Sequence, residues 1–279
     1  MVYQVIHLKE RFPLLGENGC DPTLEIYLPE NMAEMGWQEK KHPGVLLLPG
    51  GGYRFVSRRE AEPIALQMLP EGYRVFVLTY SVAPQCYPTQ LREVAAAMEM
   101  IYENAAPWHC EAEKTAIMGF SAGGHLAAHY CNRYDCPQVR EVFADSKAVQ
   151  AAVLGYPVIT ADPAYSHKGS FENLNGGAYP ENTEFYSCEK MVTENTPPTF
   201  LWHCTADKTV SVKNSLLYAD RLAHYGVPFQ MHIYPGGKHG LGTADALTNL
   251  EIKPQWEDIK DWLPAMKKWL KRTLNEQDG

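Results

Sequence analysis

Apolar residues along the chain form short continuous runs that alternate with longer segments of mixed polarity. Short apolar runs are typical of strands buried on both faces of a sheet. The strands predicted in this way cover residues 45–48, 74–80, 115–118, 149–158, 199–204 and 229–234. Apolar residues at helical spacing between them predict helices at 60–69, 90–104 and 214–225. This alternation indicates an α/β fold, with a mostly parallel central sheet and helices on both faces.

The two ends of the chain have different patterns. Residues 2–9 and 23–28 are alternating or β-rich, and they predict an antiparallel pair at the N-terminal edge of a sheet of about eight strands. Near the other end, several large apolar residues share one stripe, which we interpret as the packing face of a terminal helix that starts near Pro264. A membrane or dimer surface is the alternative interpretation. The residues of the stripe are Trp256, Ile259, Trp262, Met266, Trp269 and Leu270.

Residues 160–198 have weak periodicity and are rich in Asn, Gly, Tyr, Pro and Ser. Long irregular stretches in compact domains are usually functional or mobile. This one follows a predicted sheet strand, so we expect either a lid or substrate loop or a plain surface excursion. Apart from this irregular region, we predict that residues 1–279 form a single domain.

Bulk composition narrows the classes of function. The chain has 279 residues, of which 45% are hydrophobic, and a formal net charge of −8, which argues against binding to nucleic acid or anionic membranes. No secretion signal is expected from its first residues, and no apolar run approaches the roughly 20 residues of a membrane span. The seven cysteines follow no framework spacing and predict reduced thiols in a cytoplasmic protein. A homo-oligomer stays possible.

The segment Gly119-Phe120-Ser121-Ala122-Gly123 lies between a predicted strand and an Ala-rich predicted helix. Strand, tight turn and helix are the context in which G-x-S-x-G forms a nucleophile elbow. The turn forces the serine into strained backbone angles, and the flanking glycines avoid clashes. We therefore predict Ser121 as a nucleophile at the positive end of a helix.

A serine nucleophile needs a base, and the base needs an orienting carboxylate. Asp207 follows the strand at 199–204, and His239 lies in a Gly-rich loop after the last strand. The chain order Ser, acid, His therefore matches that of enzymes with a nucleophile elbow. Asp162 and Asp220 are weaker candidates for the acid, because one follows a different strand and the other lies in a helical pattern. Four further histidines are interpreted as packing or capping residues, namely His125, His129, His203 and His232.

The remaining site predictions concern the substrate. The backbone N–H of Ala122 and those of Gly51 and Gly52 are predicted to form an oxyanion hole. Three aromatic residues are candidates for stacking on a sugar, or equally for the core: Tyr53, Tyr156 and Trp202. No metal-site or nucleotide-binding motif is evident, so no metal and no cofactor are predicted.

These motifs resemble those of α/β-hydrolases of the esterase/lipase type, and more narrowly of bacterial acetylesterases related to acetyl-xylan and feruloyl esterases. The resemblance extends from about residue 45 to 242 and includes Asn214-Ser215-Leu216 and Gly236-Gly237-Lys238-His239-Gly240. Pro49 stands where some relatives have His, and Ser211 where many have Pro. The resemblance implies a serine carboxylesterase that hydrolyses short acyl esters, often O-acetyl groups on sugars or xylo-oligosaccharides, without a cofactor.

Other functions remain open on the same residues. An arylformamidase or another small amide hydrolase would use the same three side chains. A peptidase of the prolyl-oligopeptidase kind, a non-catalytic binding protein and a long-chain lipase or thioesterase are further alternatives. The polar region 160–198 favours short acyl groups over long ones.

Overall fold

The computed structural model describes residues 1–275, and within them one sheet holds eight strands. The strands run β1 Val2–His7, β2 Thr23–Leu28, β3 His42–Leu48, β4 Arg74–Thr79, β5 Cys110–Phe120, β6 Ala151–Gly155, β7 Thr199–Cys204 and β8 Phe229–Tyr234. Their order across the sheet is β1-β2-β4-β3-β5-β6-β7-β8. Strand β2 is antiparallel to both β1 and β4, and all other pairs are parallel. The predicted sheet with an antiparallel N-terminal edge is confirmed.

Helices cover both faces of this sheet, as predicted. In the described residues they are α1 Leu8–Arg11, α2 Glu62–Met68, α3 Thr89–Glu103, α4 Ala122–Arg133, α5 Pro137–Arg140, α6 Lys168–Leu174, α7 Thr183–Tyr186, α8 Lys213–His224 and α9 Trp262–Asn275. Side chains of a strand point alternately to the two faces. In β3, Val45 and Leu47 pack with α2 and α9, whereas Leu46 and Leu48 pack with α3, α4 and α8. The continuous apolar strands therefore contribute side chains to two separate hydrophobic cores, one on each face of the sheet.

The C-terminal apolar stripe is a packing face. Trp262, Met266 and Leu270 are fully buried in the core under α2 and α9, and the Trp262 ring stacks on Trp202 at 4.7 Å between centroids. Helix α9 begins at Trp262, so Pro264 lies in its first turn, where no backbone hydrogen bond is lost. No helix within residues 1–275 has the length and apolar character needed to cross a bilayer.

The segment 160–198 is more regular than the sequence predicts. It contains the two short helices α6 and α7, whose one or two turns are too brief to give a clear helical period. Phe171 and Cys188 are fully buried, and Asn214 on α8 accepts the N–H groups of Ile159 and Thr160 at 2.8 and 3.0 Å. The segment is therefore packed along much of its length against the helical layer.

Some strand bounds also differ from the prediction. The strand predicted at 149–158 ends at Gly155, because Tyr156 turns the chain with a φ of 35° and Pro157 follows. The strand predicted at 2–9 ends at His7, where helix α1 begins. Strand β5 begins at Cys110, five residues before the apolar run that predicts it, because Cys110 and Glu111 pair with the start of β3.

The segment after β4 supports the glycine loop after β3 and is itself held by a buried carboxylate. Glu93 on α3 is fully buried, and it accepts hydrogen bonds from the backbone N–H and the hydroxyl of Ser81. Next to Ser81, the Tyr80 hydroxyl donates to the carbonyl of Pro49 at 2.6 Å. Burial raises the pKa of Glu93 from 4.5 to about 7 despite the two Ser81 hydrogen bonds, which act in the opposite direction.

This raised pKa predicts a pH-dependent loss of stability. The contribution of Glu93 is fully present below about pH 4.5 and is lost as the pH rises towards 7, because the unfolded chain then releases the proton first. Glu93→Gln cannot ionise. We expect the unfolding free energy of the variant, relative to that of the parent chain, to rise by up to ~3 kcal/mol between pH 4.5 and 7.5.

Urea unfolding at several pH values measures this difference. A difference in unfolding free energy that stays constant from pH 4.5 to 7.5 would contradict the raised pKa of Glu93. Such a constant difference reflects only the altered hydrogen bonds with Ser81. Glu99→Gln, on the same helix and not among its buried residues, is the control.

Candidate active site

Ser121 occupies a sharp turn between β5 and α4 with φ of 54° and ψ of −120°. A Cβ at position 119 would lie 2.3 Å from the carbonyl oxygen of Gly123, and a Cβ at position 123 would lie 2.1 Å from that of Leu48. Glycine at both positions is thus a steric requirement of the turn. The N–H of Ser121 donates to the carbonyl of Gly155 at 3.0 Å, which ties the strained residue to β6.

Three side chains from distant parts of the chain form a continuous line of hydrogen bonds. Ser121 Oγ lies 2.8 Å from His239 Nε2, and His239 Nδ1 lies 2.7 Å from Asp207 Oδ2. The carboxylate accepts the Nδ1–H, so Nε2 is left to accept the serine hydroxyl proton. The predicted trio of Ser121, His239 and Asp207 is brought together at one point. Asp162, by contrast, accepts the backbone N–H of Ala164.

Asp207 is held as a carboxylate by its surroundings. Burial opposes its charge, but hydrogen bonds from His203 and His239 outweigh that effect and keep its pKa below the ordinary range. Its Oδ1 also accepts the N–H groups of Thr209 and Val210 at 2.8 and 2.9 Å. The acid is therefore ionised at neutral pH and has a fixed orientation towards His239.

His203 has a supporting position that the sequence analysis does not predict in detail. It is fully buried, and its Nε2 lies 3.0 Å from the carbonyl oxygen of Val210 and 3.5 Å from Asp207 Oδ2. A carbonyl only accepts, so Nε2 carries the proton and Nδ1 accepts the hydroxyl of Ser215 at 2.8 Å. His203 is thus a packed residue, as expected, that also faces the acid.

An open cavity of about 510 Å³ lies above Ser121 and His239, and Gly51 and Gly52 form part of its wall. Gly51 has φ of 129°, and a Cβ there would lie 1.9 Å from the carbonyl oxygen of Phe55, so the loop needs glycine. Within residues 1–275 the N–H groups of Gly51, Gly52 and Ala122 have no hydrogen-bond acceptor. These donors are available to a bound group at this end of the sheet.

The three aromatic candidates for stacking on a sugar are all buried, so the structure places them in the core, which is the other alternative that the sequence leaves open. Tyr53 and Tyr156 are 1% exposed and Trp202 is 0% exposed, and none of them lines the cavity. Tyr156 lies between Trp202 and the ring of His239, with centroid distances of 4.8 and 5.1 Å. Tyr53 donates to Nδ1 of His125, a fully buried histidine whose pKa burial lowers to about 4. These rings support the site from below.

Glu60 is a functional candidate that sequence reasoning missed. It is 3% exposed, lines the cavity, and accepts the N–H of Gly50 at 2.8 Å on Oε2 and the hydroxyl of Tyr156 at 2.6 Å on Oε1. Tyr156 in turn accepts the N–H of Gly242 at 3.0 Å. The carboxylate thus joins the glycine loop after β3 to the loop that carries His239. Its position in the sequence offers no motif, because Tyr156 and the loop at Gly242 reach it only in the folded chain.

Helix α6 supplies another wall of the cavity. Asn173 donates from Nδ2 to the carbonyl oxygen of Gly52 at 2.8 Å, and His167 lies 2.8 Å from the hydroxyl of Ser170 through Nδ1. Burial lowers the pKa of His167, and the neighbouring His239 lowers it further. The segment 160–198 therefore contacts the glycine loop directly.

Within residues 1–275 no group of three His, Cys, Asp or Glu side chains is arranged to hold a metal ion. All seven cysteines are free thiols, and six of them are buried.

Comparison with known proteins shows that the chain is similar to esterases. A family model described as BD-FAE matches residues 24–222. An acetylxylan esterase of Xylanibacter ruminicola is 29% identical over 92% of this chain, and an endo-1,4-beta-xylanase B of Butyrivibrio fibrisolvens is 34% identical over 78% of it. This chain spans only 51% and 35% of the lengths of these two relatives.

A solved structure matches over nearly the whole chain. It is the crystal structure of an acetyl ester-xyloside bifunctional hydrolase from Caldicellulosiruptor lactoaceticus, with 32% sequence identity and a TM-score of 0.82. The match covers 96% of this chain and 95% of that one.

The Glu60 network generates a prediction about positioning. In Glu60→Gln one carboxylate oxygen becomes an NH₂ group, so the side chain can no longer accept from both Gly50 and Tyr156. We expect kcat for p-nitrophenyl acetate to fall about 10- to 100-fold with little change in KM, because small displacements of catalytic groups have effects of this order.

Glu62→Gln makes the same charge change at an exposed position two residues along the chain and is the matched control. The thermal midpoint of each variant separates lost positioning from lost folding. A wild-type kcat in a well-folded Glu60→Gln variant would show that the two loops keep their places without the carboxylate.

Proposed function

The chain belongs to the BD-FAE family and is an esterase of the α/β-hydrolase fold, and from that premise we propose that it removes short acyl groups, foremost O-acetyl groups on sugars or xylo-oligosaccharides. The observation that supports this most directly is the hydrogen-bonded line of Ser121, His239 and Asp207 beneath an open cavity. An activated serine beside free backbone N–H groups is the machinery of acyl transfer.

In the proposed mechanism Ser121 attacks the ester carbonyl while His239 Nε2 accepts its proton. The N–H groups of Ala122, Gly51 and Gly52 stabilise the oxyanion of the tetrahedral intermediate. His239 then returns the proton to the leaving alcohol, and the acyl group stays on Ser121. Water, activated by the same histidine, hydrolyses the acyl-enzyme. Asp207 remains ionised throughout and stabilises the imidazolium.

The substrate class follows from the cavity and from the relatives together. Three side chains in the cavity wall, those of Asn173, Thr209 and His167, can form hydrogen bonds with the hydroxyl groups of an alcohol half. Two of the similar proteins are described by acetylxylan or acetyl ester-xyloside hydrolysis. An acetylated sugar is accordingly the substrate that we propose for this chain.

Variants at the three side chains test the mechanism. Ser121→Ala and His239→Ala remove the nucleophile and the base, and we expect the kcat for p-nitrophenyl acetate to fall by about 10⁴-fold or more. Asp207→Asn should lower kcat by up to about 10⁴-fold, because the neutral amide favours the wrong tautomer of His239. His224→Ala, on the exposed side of α8, is the matched histidine control.

Labelling with a fluorophosphonate probe provides an independent measurement. Wild type should be labelled at Ser121, and Ser121→Ala should not be labelled. Undiminished turnover or labelling in Ser121→Ala, with the fold intact by circular dichroism, would place the nucleophile elsewhere.

An acyl series tests the substrate class. We expect kcat/KM to fall from p-nitrophenyl acetate to the butyrate and the octanoate, and we expect acetate release from acetylated xylo-oligosaccharides. N-formylkynurenine, an amide substrate, should be turned over more slowly than the acetyl esters. Preference for the octanoate or for the formamide would overturn the proposed substrate while leaving the serine mechanism in place.

A further inference from the structure

Two arginines line the cavity above Ser121 without a carboxylate partner. Arg54 and Arg59 are both exposed in the cavity wall, and within residues 1–275 neither has a carboxylate within ion-pair distance. Four other arginines do pair with carboxylates, namely Arg11, Arg58, Arg92 and Arg140. In a chain of net charge −8, two unpaired guanidinium groups at the mouth of the candidate active site form a local cationic wall.

The single carboxylate in the wall of this cavity, that of Glu60, forms no ion pair with either arginine. Both oxygens of Glu60 already accept hydrogen bonds, from Gly50 and from Tyr156, and the side chain is nearly fully buried. Arg59 uses one N–H of its fork to donate to the carbonyl of Gly240 at 2.8 Å, so its other N–H groups remain available. A planar guanidinium with free donors is suited to bind a carboxylate with two hydrogen bonds.

Arg59 also borders a second cavity of about 540 Å³. Residues 246–251 form most of its wall, Lys238 adds another cation, and Glu251 is its one acidic residue. Arg59 is thus the residue that lines both cavities.

The direction of the substrate follows from the mechanism. His239 must protonate the leaving alcohol, so that half of the ester lies on the side of His239. Arg59 contacts Gly240, the next residue along, and the second cavity is built from the chain that follows. The alcohol half thus points towards Arg59.

We propose that the alcohol half of the substrate carries a carboxylate, as an acidic sugar does, and that Arg59 binds it with help from Arg54. This inference rests on the proposed esterase function and refines it from acetylated sugars to acidic acetylated sugars. Arg59 and Arg54 are then specificity residues, and the second cavity takes the remainder of an acidic oligosaccharide.

Two esters that differ only in charge test the proposal. 4-Acetoxybenzoate has an anionic leaving alcohol, and 4-acetoxybenzamide is its neutral counterpart; each kcat/KM is divided by the hydroxide-catalysed rate of the same ester. At low salt we expect wild type to prefer the anion by about fivefold or more, which is the scale of a partly exposed charge pair. High salt should reduce this preference.

Arg59→Gln should bring the ratio of the two esters close to 1, since glutamine keeps an N–H donor for Gly240 but has no charge. Arg59→Lys should keep most of the preference, and Arg140→Gln, which removes a surface charge elsewhere, should keep all of it. An equal fall for both esters in Arg59→Gln, with the ratio unchanged, would make Arg59 a structural residue and overturn the proposal.

Two further outcomes would overturn different parts of the proposal. If wild type prefers mono-4-nitrophenyl succinate over 4-nitrophenyl butyrate but treats the acetoxybenzoyl pair alike, the charge belongs to the acyl half and the assignment is wrong. If neither acetyl ester is hydrolysed and Ser121 is not labelled by a fluorophosphonate, the esterase function itself fails, which is a different result from a ratio of 1.

Discussion

The closeness of α4 to the end of β3 is the constraint on which the whole site depends. A Cβ on residue 123 would lie 2.1 Å from the carbonyl oxygen of Leu48 and 2.4 Å from that of Pro49. Only glycine lets the first turn of the helix approach the strand this closely. That approach places Ser121, at the N-terminus of α4, directly beside the loop that begins at Pro49. Ser121 and the glycine loop are therefore positioned by one packing contact.

The parallel sheet extends this arrangement to the other two side chains. Strands β3, β5, β7 and β8 are parallel members of one sheet, so the residues that follow them emerge at the same edge. Asp207 follows β7 and His239 follows β8. Beneath the imidazole, Tyr156 contacts His239 and Trp202 edge to face, and Trp202 stacks on Trp262. The hydrophobic core under α9 thus supports the ring of His239 as well as the sheet.

The sequence predicts the parts of this site that depend on local rules. The strand–turn–helix pattern around Ser121 and the chain order of Asp207 and His239 follow from residue types over short stretches, and the structure brings those side chains together. It leaves open whether Tyr53, Tyr156 and Trp202 belong to the core or to the cavity wall, because an aromatic residue within or after a strand can face either. Glu60 and Arg59 also gave no signal, since their partners, Gly50, Tyr156 and Gly240, are brought to them only by the folded chain.

The position of Glu60 is unusual on electrostatic grounds. A carboxylate in the wall of the proposed site opposes the negative charge that would develop on an oxyanion there, and burial strengthens that opposition. Both of its oxygens, however, accept hydrogen bonds from groups that hold the two loops flanking Ser121, and a neutral amide has only one acceptor to offer. Two charge-assisted hydrogen bonds are stronger than neutral ones and keep the loops in register. The positive charges of Arg54 and Arg59 in the same wall offset part of this unfavourable field. Glu60, which holds the two loops, and the arginines that we assign to substrate recognition are therefore electrostatically complementary.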